Sequence, residues 1–357
     1  MTDTEEWTLR RLVSDVIGSG PKSAEDMTRE QARAAFDRLL DGDYEETTVG
    51  AFWLANRWKR NTPEELSAYT DVMRERSVET AEPVVDPVDC GANYDGKHTS
   101  ALLGVAAGVV AAAAGTPVVA HSGDRVPTQE ATAYKHVLDE LGVRTDLEPG
   151  NSADMVDEIG FGFYYQPNCN PLVDDLSDRR AEMGVRTFVN TVETLANPSN
   201  ADVHLGSFYH LSFAVKVIKT LAAAETQDVS RVLMFQGMEG YDDVRPGSTV
   251  VAEWTADTGG DPGENVEDFE IATADYGMAV ERDDLAVDDV AADSAAITEQ
   301  VVAGEREDGF ADAVVLNAAL RVYAREDAAS IDDGLSMARD AVADGSAKAV
   351  LDDLRAF

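Results

Sequence analysis

The chain has 357 residues, of which 68 are Asp or Glu and 29 are Lys or Arg, so its formal net charge is −39 at pH 7. Hydrophobic residues make up 44% of the chain, which is ordinary for a folded protein and excludes an intrinsically disordered one. No tract rich in Lys or Arg occurs, which disfavours nucleic acid as a partner. The length predicts two domains, or one large domain with a smaller partner.

The acidic residues are scattered along the chain rather than grouped, and lysine is scarce. A hydrated acidic surface keeps a protein soluble where salt screens charge repulsion, so we interpret the composition as halophilic. The first residues, Met1 to Glu6, lack the basic start of a signal peptide, and the longest apolar run, residues 101–115, is too short to cross a bilayer. We therefore expect a cytoplasmic protein with no membrane partner. Cys90 and Cys169 form neither a disulfide framework nor a CxxC motif.

The first 80 residues predict a small helical domain. Thr28 to Gln31 form a capping box at the start of a helix that Gly42 ends. Thr62 lies at an N-cap position before Pro63, which marks the start of another helix. The predicted helices span residues 7–18, 28–40, 48–59 and 63–76.

After residue 80 the pattern changes to alternating strands and helices, which predicts a parallel sheet built from βαβ units. The predicted strands are residues 83–89, 117–120, 144–147, 161–165, 203–209, 229–236, 250–254 and 269–273. The predicted helices are residues 100–115, 128–141 and 171–183, followed by three from Asp289 onward, with 312–325 the clearest. The expected fold class is therefore α/β, with a small N-terminal helical domain (residues 1–80) and a large α/β domain with a mainly parallel sheet (residues 81–357).

The unusual residues of this chain lie in loops that follow predicted strands, where open α/β sheets bind ligands. The first loop is rich in glycine and runs into a helix, so its backbone N–H groups and the helix dipole favour an anion such as phosphate. A plain tight turn, which also needs glycine, is the alternative. The phosphate-binding candidates are Gly91, Asn93, Asp95, Gly96, Lys97, His98 and Thr99.

Three further loops carry candidate residues. In the second loop, His121 and Arg125 could contact a phosphate or a carboxylate, or could be a packed histidine and a surface arginine. The third runs from Asn168, through Asn170 and the predicted helix that contains Arg180, to Thr187. In the fourth, Asp242 and Asp243 could share Mg²⁺ with a diphosphate, although two acidic residues in a turn are common in this chain.

Taken in order, these segments resemble the anthranilate phosphoribosyltransferase family, which shares its fold with the pyrimidine nucleoside phosphorylases. Residues 33–42, 48–52, 57–59 and 62–65 resemble its helical domain. Gly91 to Gly96 fall at its Gly-Thr-Gly-Gly-Asp-Gly loop, and His121 to Arg125 at its His-Gly-Asn-Arg. Residues 180–190, 197–198 and 240–243 match the family's later motifs. The resemblance covers most of the chain to about Trp254.

The resemblance implies a fold of a helical domain, completed by helices near residues 171–200, beside an α/β domain. It implies transfer of a phosphoribosyl group from 5-phosphoribosyl 1-diphosphate (PRPP) to the nitrogen of an aromatic acceptor, anthranilate in the family, as in tryptophan biosynthesis. Asp242 and Asp243 would bind Mg²⁺, and Arg180 would bind the carboxylate of the acceptor. The acceptor site would include His121, Asp124, Arg125, Asn170 and Arg180. Because such an enzyme mainly positions its substrates, no catalytic nucleophile or base is expected. Members are commonly homodimers.

The sequence departs from the family at the first loop. Asn93 and Tyr94 occupy positions where the family has glycine, and Ala101, Leu103 and Gly104 replace its Asn-x-Ser-Thr. These changes leave two alternatives open: a pyrimidine-nucleoside phosphorylase-like enzyme that uses inorganic phosphate, and a non-catalytic protein that binds nucleotides or nucleic acid.

Overall fold

The structure is a computed structural model that describes residues 7–18, 20, 22–42, 44–91, 96–125, 129–237 and 244–357. The helices are α1 Leu9–Leu12, α2 Arg29–Asp41, α3 Glu46–Lys59, α4 Pro63–Arg76, α5 Gly104–Ala113, α6 Tyr134–Glu140, α7 Pro149–Ile159, α8 Gln166–Cys169, α9 Pro171–Asp174, α10 Ser177–Met183, α11 Val189–Val192, α12 Leu211–Ala222, α13 Val290–Val302, α14 Gly309–Ala324, α15 Ile331–Ala343 and α16 Ser346–Ala356. The strands are β1 Val88–Cys90, β2 Val118–Ser122, β3 Phe161–Tyr165, β4 Val203–Phe208, β5 Arg231–Gln236, β6 Ser248–Thr255 and β7 Glu267–Ala272.

The helices at the start of the chain form where local signals predicted them. Thr28 accepts from the backbone N–H of Gln31, whose side chain accepts from Thr28 in return, and this capping box begins α2. Gly42 ends α2 with φ +70°, a conformation that glycine adopts without strain. Thr62 and Glu65 form the same box at the start of α4. The first helix is shorter than predicted, because α1 gives way to a π-helical turn at Val13–Ile17.

The core of the helical domain draws on two separate parts of the chain. Phe36 and Tyr69, from α2 and α4, pack against Phe188, and the rings of Tyr69 and Phe188 stack with centroids 4.0 Å apart. Val173 and Val192 belong to the same buried apolar cluster. Helices from the middle of the chain therefore pack into the N-terminal helical bundle and connect it to the sheet.

The described strands form one seven-stranded sheet in the order β3-β2-β1-β4-β5-β6-β7. The five strands from β3 to β5 run parallel, and β6 and β7 are antiparallel additions at one edge. Helix α5 is buried along most of its length and packs among the other helices that cover the sheet. The predicted fold class is confirmed. The carboxyl ends of β1, β4 and β5 lie at one edge, next to the helical domain.

Several predicted elements are wrong in position or kind. Residues 144–147 are not a strand. The helix predicted from residue 100 begins at Gly104, since Ser100 pairs with Ala286 in a β-bridge. The helix predicted at 128–141 is only α6, and the one at 171–183 is divided into α9 and α10. Helices α7 and α12 were not predicted, and four helices rather than three end the chain.

No helix in the described part of the chain is both long and apolar enough to cross a membrane.

Candidate active site

A cavity of about 610 Å³ lies between the helical domain and the carboxyl edge of the sheet. Gly91, directly after β1, and Gly206, near the end of β4, line its sheet side. Arg57 and Arg60, at the end of α3, and the segment that begins at Arg186 line its helical side. Aromatic side chains, among them Phe208, Tyr209 and Phe213, add apolar surface. A pocket at this position is the standard ligand site of an open α/β sheet.

The cavity carries positive charge in a strongly acidic protein. Arg57, Arg60 and Arg186 line it, whereas none of the described lining residues is Asp or Glu. Arg57 donates a hydrogen bond to the backbone oxygen of Arg186 at 2.8 Å, which holds the two segments together. Burial, together with the nearby charges of Arg60 and Lys59, lowers the pKa of Lys216. This side of the cavity therefore attracts anions.

Beneath the sheet side of the cavity, one carboxylate lies between two imidazoles. Asp89 on β1 and His204 on β4 are register partners in the sheet. Nδ1 of His204 lies 2.8 Å from Oδ2 of Asp89, and Nε2 of His121 on β2 lies 3.1 Å from the other oxygen, Oδ1. All three side chains are buried. Three neighbouring strands thus place a charged cluster in the centre of the sheet.

The electrostatics of this cluster fix the charge of Asp89. Its burial alone would raise the pKa of Asp89, but the imidazoles of His121 and His204 hold that pKa well below its usual range. Asp89 is therefore ionised and can only accept hydrogen bonds, so Nδ1 of His204 must be the donor. The opposite ring nitrogen, Nε2, lies beside Gly206: a methyl group added there would lie 2.9 Å from it.

The packing around the end of β1 leaves no room for a side chain at Gly91. An added Cβ would lie 2.1 Å from the backbone oxygen of Thr194 and 2.6 Å from Nε2 of His121. The glycine predicted for a phosphate loop thus brings the end of β1 against the segment that follows α11. It also lines the cavity.

The other described residues of the first loop are either buried within the protein or exposed to solvent, and they do not line the cavity. Lys97 is fully buried, and its Nζ donates to the backbone oxygen of Ala101 at 3.0 Å. Gly96 has φ +68° and lies against Thr132, with which Lys97 pairs in a β-bridge. His98 and Thr99 are exposed. The ammonium group that we predicted to face a phosphate therefore faces its own loop.

The second loop makes contacts within its own neighbourhood. Asp124 is exposed, and its carboxylate lies 2.9 Å from Nε2 of His136. Arg125 donates to the backbone oxygen of Glu130 at 2.7 Å. His121, predicted beside them, points to Asp89 instead, because the strand continues to Ser122 and keeps His121 within the sheet.

The third segment places Arg180 in an internal ion pair. Arg180 donates two hydrogen bonds to Glu193, of 2.8 and 2.7 Å, and both side chains are about 1% exposed. Gln166 adds a third donor to Glu193. The carboxylate predicted for Arg180 is thus supplied by the protein itself. Asn170 is fully buried, and its side-chain amide hydrogen-bonds to none of the described atoms.

Four candidates, Asn93, Asp95, Asp242 and Asp243, lie outside the described residues. Among the residues that are described, no group of three or more His, Cys, Asp or Glu side chains is arranged to hold a metal ion. Strands β1 and β5, which lead into these two segments, run parallel with β4 between them. Their carboxyl ends are therefore about 10 Å apart at the same edge.

Comparison with known proteins decides the family. The model described as glycosyl transferase family, helical bundle domain, matches residues 13–77, and that described as glycosyl transferase family, a/b domain, matches residues 82–348. The anthranilate phosphoribosyltransferase of Burkholderia mallei is 33% identical over 327 residues, which are 89% of this chain and 90% of that protein. This chain belongs to the anthranilate phosphoribosyltransferase family. The anthranilate phosphoribosyltransferase of Leptothrix cholodnii is similarly close, at 33% identity over 89% of each chain.

Solved structures of anthranilate phosphoribosyltransferases share the fold. The enzyme from Thermus thermophilus superposes with a TM-score of 0.80 at 24% identity over 98% of both chains. The Saccharomyces cerevisiae enzyme in complex with PRPP and Mg has a TM-score of 0.75 at 18% identity over 92% of both chains. At these identities the likeness concerns the arrangement of helices and strands.

Several residues of the site were not found by reading the sequence. Asp89 and His204 are 115 positions apart and belong to no motif, so only the pairing of β1 with β4 brings them together. Arg57 lies in a segment that resembles the family's helical domain, but no motif predicts that it binds a ligand. The available signal for Arg57 and Arg60 was two arginines near the end of a predicted helix in an acidic chain.

Proposed function

We propose that this protein transfers the phosphoribosyl group of PRPP to the nitrogen of a small aromatic acceptor, with anthranilate as the acceptor named for its relatives. One observation carries the proposal beyond family membership. The cavity at the carboxyl edge of the sheet is lined by Arg57, Arg60 and Arg186 and by no described carboxylate. Both substrates are anions, and a cavity of about 610 Å³ is large enough for drug-sized molecules.

The proposed chemistry needs positioning more than covalent participation. The bond between C1 of the ribose and the diphosphate oxygen breaks while the acceptor nitrogen bonds to C1, so fixed charges stabilise the departing diphosphate. We propose that Gly91, which lines the cavity directly after β1, lies beside the diphosphate. Arg57, Arg60 and Arg186 would face the anionic groups from the helical side.

We propose an acceptor site around His121, Asp124, Arg125, Asn170 and Arg180, as the family resemblance implies. The buried amide of Asn170 supports this placement, since it has unused hydrogen-bonding capacity among the described residues. Arg180 could bind the acceptor's carboxylate only by exchanging its partner Glu193. The role of Arg180 therefore depends on that exchange.

We propose Mg²⁺ as the cofactor, held by Asp242 and Asp243. Carboxylate oxygens suit this ion, and the ion would neutralise diphosphate charge when bound. Strand β5, which precedes them in the sequence, ends at the same sheet edge as β1, which precedes the phosphate loop. A relative from Saccharomyces cerevisiae has been solved in complex with PRPP and Mg.

We also propose a domain boundary at residue 80, a halophilic adaptation, a cytoplasmic location and a homodimer formed through the helical domain. The proposed homodimer would cover Trp58 of α3, which is 70% exposed. The net charge of −39 supports the salt adaptation.

Titration calorimetry in molar KCl tests the proposed function. We expect heat of binding for PRPP that requires Mg²⁺, and weaker binding in Arg60→Gln and Arg186→Gln. Arg144→Gln, which removes an exposed charge away from the cavity, serves as the matched control and should bind as the unmodified protein does. Binding of inorganic phosphate alone would favour a phosphorylase. Binding of single-stranded DNA alone would favour a non-catalytic protein.

A further inference from the structure

One histidine at the cavity has the geometry of a general base. His204 lines the cavity, and its Nδ1 is held by Asp89 at 2.8 Å. Because Asp89 is ionised, Nδ1 keeps its proton when the ring is neutral, and the lone pair lies on Nε2. Nε2 lies beside Gly206, another lining residue, and hydrogen-bonds to none of the described residues.

Few groups around this pair can titrate near neutral pH. Burial raises the pKa of Tyr164 and of Cys169 well above their usual ranges, and burial lowers the pKa of Arg74 only to about 10. His121 shares the carboxylate of Asp89 from β2, and His210 lies on the cavity lining with Arg57, Arg60 and Arg186.

We propose that His204 is the general base of the phosphoribosyl transfer and that Asp89 is its positioning residue, an inference that rests on the proposed function. As the acceptor nitrogen bonds to C1, the C1–O bond breaks and its electron pair leaves with diphosphate. The nitrogen then holds one proton too many, and that proton passes to Nε2 of His204. The base later returns the proton to solvent. This role replaces our sequence-based expectation that no base takes part.

The orientation by Asp89 is what makes Nε2 the basic atom. A carboxylate on Nδ1 fixes the ring orientation and the tautomer, and it stabilises the imidazolium formed when Nε2 takes a proton. His121 cannot serve in the same way, because it does not line the cavity. Of the two described histidines that contact Asp89, His204 is the one that lines the cavity, and its Nε2 lies beside Gly206.

The test is the pH dependence of kcat in His204→Gln, measured in molar KCl with saturating PRPP, acceptor and Mg²⁺. For the unmodified enzyme we expect kcat to rise with pH, because a general base accepts a proton only in its unprotonated form. His204→Gln should lose about 100-fold or more in kcat and lose this rise, while its affinity for PRPP measured by calorimetry stays within about twofold. Added imidazole should restore part of kcat in His204→Ala. Asp89→Asn should lower kcat, because the proton of His204 can then move to Nε2.

One variant separates the role of His204 from that of the rest of the cavity. His210→Gln removes the other imidazole of the described cavity lining and should keep the rise of kcat with pH. A rise that persists in His204→Gln, or that disappears in His210→Gln, overturns the assignment while the proposed function stands. Absence of turnover in the unmodified enzyme overturns both.

Discussion

Arg180 and Glu193 bind each other through two parallel hydrogen bonds in a site that excludes water. This geometry is the strong, bidentate form of an ion pair. The arginine that family resemblance assigns to the acceptor is therefore already paired with an internal carboxylate. Glu193 also receives Gln166, so three donors converge on one buried anion.

This pair predicts strong coupling in a double-mutant cycle. Glu193→Gln and Arg180→Met should each destabilise the fold by about 3–5 kcal/mol, because each leaves a buried group without its partner. The double variant should be destabilised by much less than the sum of the two. Urea unfolding in molar KCl measures the free energies, and additive effects would contradict the pairing.

The backbone conformation of Arg60 predicts that replacing it with glycine stabilises the fold and weakens binding. Its φ of +66° and ψ of 122° lie where residues other than glycine are strained. Arg60→Gly should therefore stabilise the fold by about 1 kcal/mol and weaken PRPP binding by removing a charge from the cavity. Arg60→Gln keeps the strain and loses the charge, so it should weaken binding without the gain in stability. Thermal unfolding and calorimetry on both variants check this, and equal stabilities would refute the strain.

Asp89 predicts acid sensitivity with a definite sign. Its pKa in the fold lies below that of an unfolded Asp, about 3.9, so its contribution to stability is present above that pH. The contribution is lost as the pH falls from about 4 toward the lowered value. Asp89→Asn should lose about 3–5 kcal/mol at neutral pH and show a flatter decline below pH 4.

The exposed pair of Asp124 with His136 offers the control for Asp89. Asp124 is 60% exposed, so Asp124→Asn should change the free energy of unfolding by less than about 1 kcal/mol. Urea unfolding across the acidic range compares the two variants. Equal losses in the free energy of unfolding would show that the buried position of Asp89 between the imidazoles contributes no additional stability.

The proposed magnesium site makes a prediction about metal response. Asp242→Ala should abolish the Mg²⁺ dependence of PRPP binding, since it removes one of the two carboxylates proposed to hold the ion. Asp257→Ala removes an exposed carboxylate after β6 and should leave the dependence in place. Calorimetry with and without Mg²⁺ measures it. An unchanged response in Asp242→Ala rules out the assignment.

Local signals predicted the fold better than they predicted the site. Thr62 and Glu65 form a capping box between neighbouring residues, and the buried strand β3 was predicted at its observed limits, so these elements could be read directly. The helix predicted from residue 128 failed because its first residues lie in a loop that pairs with Lys97. Such a contact depends on tertiary structure.

The chemistry of the site depends on distant pairs. A single sequence contains no signal that Arg180 pairs with Glu193, or that Asp89 pairs with His204 on a neighbouring strand. The sequence therefore predicts a substrate contact for His121 and for Arg180 but cannot show the protein partners that each also has. Strand order and burial, which the sequence does not state, decide these partners.

Conversion of PRPP in the cavity between the two domains is the proposed activity. Its most direct test is the initial rate of diphosphate release in molar KCl with Mg²⁺, PRPP and anthranilate, each omitted in turn. We expect release that requires all three and that falls in Arg60→Gln and Arg186→Gln but not in Arg144→Gln. Release that is absent with all three present, or that is unchanged in the two cavity variants, would contradict it.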